Sequence, residues 1–342
     1  MTSTAASCLL FLTMKSLEEA ELCFPELLNS SCRKAMRPHS VSMLTYILLS
    51  SISLLTVTLN LLVIISISHF KQLHTPTNLL LLSLAVSDFF VGLLMCFQIV
   101  LIDGCWFFGD IMCMLYQYLG YIITSASVGT MVLISVDRYV AICDSLHYFN
   151  KVTQKRVNIC VCLCWICSVF LHSLLLKDNL EQPGSYNSCF GECVFHITYI
   201  AGRADLFLSF IGPVTVIIVL YMRVFVVAVF QARAMRSHTA AFSVKSSVRV
   251  TAKKSELKAA RTLGVVIVVF LVCLCPYYCV SLTGQDTLLN ASSAAFVICL
   301  FSFNSCLNPV IYAFFYPWFR KSIRLIVTLK ILQPGSYATN IL

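Results

Sequence analysis

The chain has 342 residues, 59% of them hydrophobic and 11% charged, with a net charge of +9 and a mean hydropathy of +0.87. A soluble domain carries about 25% charged residues, and disorder needs low hydrophobicity, so this composition excludes a water-soluble globule and a disordered chain alike. The protein belongs in a bilayer.

Residues 1–42 read as a mixed polar tail, in which the apolar run Cys8–Thr13 is too short for a signal-peptide core. Seven apolar windows follow, near 43–68, 78–102, 111–136, 157–176, 195–222, 262–285 and 291–315. Each suffices to cross a hydrocarbon core of about 30 Å as helix. Tilted barrel strands would alternate over about 10 residues, and these windows do not. The second holds only Asp88 and the fifth Arg203 and Asp205; the others contain no Asp, Glu, Lys or Arg. The expected fold is an all-α membrane protein: an extracellular tail over 1–42, a seven-helix bundle over 43–315, and a short amphipathic eighth helix with a cytoplasmic tail over 316–342.

Orientation follows from the basic residues flanking the spans. With the amino terminus outside, eighteen of the 24 Lys and Arg fall on the cytoplasmic face, nine of them between Arg223 and Arg261. The net positive charge is therefore a topology signal and calls for membrane lipid, with no nucleic-acid partner.

Most of the 18 cysteines lie inside apolar helices, where a thiol acts as a small hydrophobe. Cys160/Cys162 and Cys273/Cys275 have no histidine partner and make no zinc site. Cys23, Cys32, Cys105, Cys113, Cys189 and Cys193 instead meet the oxidising outer compartment. A Cys113–Cys193 bond would pin the loop between helices four and five over the bundle mouth. Cys189 is then left for Cys23 or Cys32, and the sequence does not choose between them. Asn29-Ser30-Ser31 is a glycosylation sequon in the outer tail; Asn290-Ala291-Ser292 abuts helix seven, where access is poor.

Ionisable groups within a membrane helix are costly and mark function by default. Asp88 shares its depth with Asn60, Ser127, Asn304, Ser305 and Asn308, an oxygen-rich set suited to a small hard cation such as sodium. A plain hydrogen-bonded network is the alternative. Pro213, Pro276 and Pro309 each remove a helical hydrogen bond in helices five, six and seven. Asp137-Arg138-Tyr139 ends helix three, and Glu256 begins helix six on the same side, so an Arg138–Glu256 pair could tie two helix ends together.

Asn60, Asp88, Asp137-Arg138-Tyr139, Trp165, Pro213, Cys273-x-x-Pro276 and Asn308-Pro309-x-x-Tyr312 resemble the landmarks of rhodopsin-like G-protein-coupled receptors, one per helix and in order. More narrowly, Asn304-Ser305-Cys306-Leu307-Asn308-Pro309, Tyr316-Pro317-Trp318-Phe319-Arg320-Lys321 and Cys23-Phe24-Pro25 with Asn29-Ser30-Ser31-Cys32 look like the trace amine-associated receptors. The resemblance implies an olfactory amine receptor of the plasma membrane of olfactory sensory neurons, coupled to a stimulatory heterotrimeric G protein. It also implies a Cys113–Cys193 bond, an Arg138–Glu256 restraint on the inactive state, and a cytoplasmic cleft lined by Arg138, Tyr221 and Tyr312.

Four positions depart from that pattern. Gly120 stands where amine receptors place a helix-three aspartate, Leu274 at the helix-six aromatic switch, Ser302 at a helix-seven tyrosine, and Ser145 at a loop proline. Asp205 fills the gap: eight residues before Pro213 in the outer half of helix five, with Ser209 at i+4, it resembles fish-type members that carry the amine aspartate in helix five. Tyr121, Thr124, Tyr277 and Tyr278 complete the expected pocket, and Asp103, Asp110 or Glu192 could take a second ammonium, which makes diamines the first agonist class to consider. Against this stands a plain pairing of Asp205 with Arg203 or another polar group.

Two other readings compete with an amine receptor. A rhodopsin-like receptor for a non-amine odorant or peptide is favoured by Gly120. An ion-coupled transporter would use Asp88, but inverted repeats and broken paired helices are lacking. Helix seven has no lysine for a retinal Schiff base, and no nucleophile–base or metal constellation suggests an enzyme.

Overall fold

A computed structural model describes residues 21–27, 29–34, 39–101, 104–239, 264–279 and 291–341. Among these residues six helices are long and apolar enough to span a membrane, and a shorter apolar helix covers Gly264–Cys279. In chain order the helices are α1 (His39–His69), α2 (Pro76–Val100), α3 (Gly109–Cys143) and α4 (Gln154–Leu175). Helix α5 opens as Tyr199–Asp205, passes through a π-helical turn at Leu206–Ile211 and continues as Gly212–Thr239. Then come α6 (Gly264–Cys279), α7 (Ala291–Phe315) and α8 (Pro317–Val327).

The boundaries follow local chemistry. Thr75, Thr153 and Thr198 each accept a backbone N–H in the first turn of α2, α4 and α5, satisfying a donor that has no partner within the helix. Pro76 and Pro317 occupy first-turn positions, where a missing N–H costs nothing. Gly109 takes φ +77° at the entry to α3, a conformation that L side chains rarely adopt. Relative to the apolar windows, α1 begins four residues earlier and α3 runs seven residues further. The first extension is the polar turn His39–Ser42; the second begins with the charged pair Asp137-Arg138, which ends an uncharged window although the helix continues through Val140–Cys143.

The core joins Val63 and Ile67 of α1, Leu80, Leu81 and Leu84 of α2, Met131 and Ile134 of α3, Phe270 of α6 and Tyr312 of α7. Leu274 is buried among these side chains. Trp165 of α4 donates its indole N–H to Ser83 Oγ at 3.2 Å. Large apolar side chains such as Leu54, Ile166 and Phe225 are exposed on the outer wall, as a lipid solvent requires. Beyond α8, the chain turns back onto the loop between α1 and α2: Lys71 lies 4.7 Å from the Tyr337 ring centroid, and Ile341 is buried.

Three disulfides cap the outer end: Cys23–Cys105, Cys32–Cys189 and Cys113–Cys193. Cys189 thus takes Cys32. Its neighbour Cys23 goes to Cys105, a pairing the sequence did not suggest. Backbone bonds run from Cys23 N to Cys32 O (2.8 Å), from Cys32 N to Phe190 O (3.0 Å) and from Trp106 N to Gly191 O (2.7 Å). They lay the tail between the two outer loops and bring Cys105 under Cys23. Asn29 is exposed on this cap; Asn290 lies outside the described residues.

Each bond closes a loop of 80 residues or more, and cross-links of that span restrict the unfolded chain most. Peptide mapping without reduction should recover these three pairs. A Cys23–Cys189 peptide, or a free thiol at Cys105, would contradict the cap.

Candidate functional site

The cap sits above a cavity of about 580 Å³ in the outer half of the bundle, with walls from α2, α3, α4, α5, α6 and α7. Asp205 ends the first segment of α5, where the π-helical turn begins. Its side chain lines the cavity. Ser209, one turn on, donates to Asp205 Oδ1 at 2.7 Å, the (i, i+4) neighbour relation within a helix. His172 of α4 brings Nε2 to 3.1 Å from the same oxygen. Among the described residues Oδ2 accepts no hydrogen bond.

Pairing of Asp205 with Arg203 is not what the geometry shows. The Arg203 guanidinium lies 5.0 Å from the Tyr199 ring centroid and is exposed. Two residues of helix turn the two side chains apart, and the arginine borders the same cavity while stacking on Tyr199.

The other expected pocket residues gather here. Tyr121, Thr124, Tyr277, Tyr278, Ser302 and Gly120 all line the cavity. Tyr278 stacks on Phe210 with centroids 3.8 Å apart, and Tyr277 tilts against Phe301 at 4.9 Å. At Gly120 an added Cβ would meet no atom within 4 Å, so the missing side chain leaves open volume between α3 and its neighbours. Nearby, Tyr116 donates to Gln98 Oε1 at 2.5 Å, closing a polar contact between α2 and α3.

The acids proposed for a second ammonium are placed differently. Asp110 accepts from Asn187 Nδ2 at 2.9 Å, and Glu192 accepts the Ser188 N–H at 2.6 Å. Both serve the second outer loop, and neither lines the cavity. Asp103 lies outside the described residues. Among those described, Asp205 is the only carboxylate in the cavity wall.

His172 escaped the reading of the sequence. The signal was present: an ionisable ring in an α4 window otherwise free of charge. Scanning spans for Asp, Glu, Lys and Arg alone passes over it.

A second polar centre lies deeper. Asp88 is fully buried and accepts from Asn308 Nδ2 at 2.8 Å. Asn60 donates to the carbonyls of Thr56 and Ser305, both at 2.9 Å. Among the described residues the second carboxylate oxygen of Asp88, the amide oxygens of Asn60, Asn304 and Asn308 and the Tyr312 hydroxyl are buried without a well-formed hydrogen bond, and Ser305 lies within side-chain hydrogen-bonding reach of Asp88. Ser127 and Ser305 are also buried. Such a set of inward oxygens presents acceptors with too few donors.

At the end of the bundle away from the cap, Arg138 turns onto its neighbour Asp137 and donates to Thr77 Oγ1 at 2.6 Å. Asp137 also accepts from Thr77 (3.0 Å) and from the Tyr148 hydroxyl (2.9 Å) of the following loop. The Arg138–Glu256 pairing cannot be placed, because Glu256 lies outside the described residues. Tyr139 packs beside Ile142 and Val224 of α5. Tyr221 sits within electrostatic reach of Arg138, and Tyr312 is buried below Pro309 in the core. Just past α3, hydrogen bonds from Lys151 and then His147 hold the partly exposed Asp144 carboxyl below its ordinary range.

Residues 59–312 match the model of the 7 transmembrane receptor (rhodopsin family). Over nearly its whole length the chain is similar to trace amine-associated receptor 13c of Danio rerio (36% identical, 96% of this chain and 98% of the relative). It is 34% identical to trace amine-associated receptor 4 of Mus musculus, over 94% of this chain and 96% of that one. It is 38% identical to trace amine-associated receptor 8a of Rattus norvegicus, over 92% and 95%. With the seven-helix landmarks in place and such relatives matched end to end, the chain belongs to the trace amine-associated receptors of the rhodopsin family.

Proposed function

We propose that this receptor binds amines through Asp205 and, when occupied, activates a stimulatory heterotrimeric G protein from the plasma membrane of olfactory sensory neurons, with its amino terminus outside. One observation carries the reading: the cavity wall holds a single carboxylate among the described residues, with one oxygen anchored by Ser209 and His172 and the other without a hydrogen bond. The printed names of the relatives point to the same ligand class. Aromatic walls from Tyr121, Tyr277 and Tyr278 desolvate the site, so an ion pair there is worth more than in water.

A lone carboxylate favours a monoamine over a diamine, because among the described residues a second ammonium finds no second anion in the wall. The open volume beside Gly120 would take the ligand's apolar body. Binding at α5 draws on a helix already interrupted by a π-helical turn, a feature frequent at functional sites. The ligand need only prefer one arrangement of the kinked helices for the population to shift. At the cytoplasmic end, release of Arg138 from Asp137 and Thr77 would open the cleft toward Tyr221 and Tyr312, with Glu256 restraining the closed form.

The unpartnered oxygens around Asp88 suit a sodium ion held by Asp88, Ser127, Asn304, Ser305 and Asn308. Its charge would neutralise the buried carboxylate and stiffen the closed bundle. Agonist affinity should then be lower in sodium than in a bulky organic cation, and Asp88→Asn should abolish that difference. Equal affinities in wild type would exclude the ion.

The amine site is tested by cyclic-AMP dose–response to a panel of primary amines at matched surface expression. Removing one member of a buried charge pair costs about 2–5 kcal/mol. Asp205→Ala and Asp205→Asn should therefore weaken potency roughly 30-fold or more. Unchanged potency in both variants would transfer the receptor to a non-amine odorant or peptide.

A further inference from the structure

His172 is placed so that neither ring nitrogen faces a donor. Nδ1 lies 2.8 Å from the Ser168 carbonyl oxygen, which can only accept, so Nδ1 carries a hydrogen. Nε2 lies 3.1 Å from Asp205 Oδ1, which already accepts the Ser209 hydroxyl. A neutral imidazole with its hydrogen on Nδ1 would point a lone pair at a carboxylate. The ring is 1% exposed, so water cannot relieve that contact. The geometry is satisfied only with one further proton between the two groups, on Nε2 or on the carboxyl.

From this we infer that Asp205 and His172 jointly hold one proton in the ligand-free receptor, and that an arriving ammonium expels it. The inference rests on the amine site proposed above and adds a second member to it. The cavity then starts neutral at this point, which explains how a carboxylate survives in an aromatic wall without a bound ligand. When the ligand's ammonium approaches the free Oδ2, two cations would share one anion. The Nε2–H bond then breaks and the proton leaves by way of Asp205, whose side chain is 16% exposed; the bare Nε2 lone pair is tolerated in the bound state because the ammonium now neutralises the carboxylate. His172 thus acts as a positioning residue that sets the affinity of the site and ties it to proton concentration.

The titratable and charged groups facing the His172–Asp205 pair come from α3, α5 and α6. Facing it are Tyr121 from α3, whose ring lies 5.7 Å from that of His172, and Tyr278 from α6, within electrostatic reach of Asp205. Tyr277 lines the same wall. On α5 itself Arg203 is directed at Tyr199. Phenols and guanidinium keep their protonation across neutral pH, whereas histidine changes charge between about pH 5 and 8.

The experiment follows n-hexylamine, fully charged over about pH 5.5 to 8, in binding to receptor in membranes, with wild type, His172→Asn and Asp205→Asn compared. A single expelled proton makes wild-type affinity rise with pH, by up to about tenfold per unit at the acid end, before it levels off. His172→Asn keeps an amide donor toward Asp205 without a titratable proton and should give a flat profile. Nitrogen-15 histidine NMR of ligand-free receptor supplies a measurement that needs no ligand and no folded variant. At the acid end the buried ring should be protonated at both nitrogens, or infrared spectra should show Asp205 as the acid. A flat wild-type profile, or a singly protonated ring beside an ionised Asp205 throughout, overturns the shared proton. If Asp205→Asn binds hexylamine as tightly as wild type, the amine site itself fails instead.

Discussion

A carboxylate in a low-dielectric wall must be neutralised or expelled, and this constraint organises the outer half of the receptor. Asp205 meets it with Ser209 on its own helix and His172 on α4, which together occupy one oxygen. The π-helical turn that follows sets the phase at which α5 continues. The disulfide-locked cap then restricts access to the same cavity. Charge, backbone irregularity and covalent closure converge on a region that a lipid-embedded bundle would otherwise fill with aliphatic side chains.

The same constraint recurs twice along the bundle axis with different solutions. Asp88 has one oxygen satisfied by Asn308 and the other unmatched, which leaves a place for a positive charge. Asp137 is fully subscribed by Arg138, Thr77 and Tyr148. A buried anion that lacks a donor is poised to bind, and one that is saturated is poised to hold. The outer and middle acids belong to the first kind, and the cytoplasmic acid to the second.

Much of this was legible in the sequence because membrane constraints are strong. Uncharged apolar windows fixed the spans, and Asp88 and Asp205 stood out within them. Asp137-Arg138-Tyr139 stood out near the end of α3. Less accessible were features set by tertiary contact. Cys105 gave no sign of its partner, because the tail's path depends on backbone pairing of Ser30 and Cys32 with Phe190, and the Cys105 loop is joined to the same segment through Trp106 and Gly191. His172 sits thirty-three positions from Asp205, and only the crossing of α4 and α5 makes it a neighbour. Asp110 and Glu192 looked like second anions by position, yet local loop donors claim them.

The most direct test is a cryo-electron microscopy structure of the receptor with a bound primary amine. The account places the ammonium nitrogen about 3 Å from a carboxylate oxygen of Asp205, a charge-assisted hydrogen-bond distance, with the ligand's apolar body toward Gly120. An ammonium seated between Gln98 and Tyr116, or a ligand that makes no contact with Asp205, would contradict it.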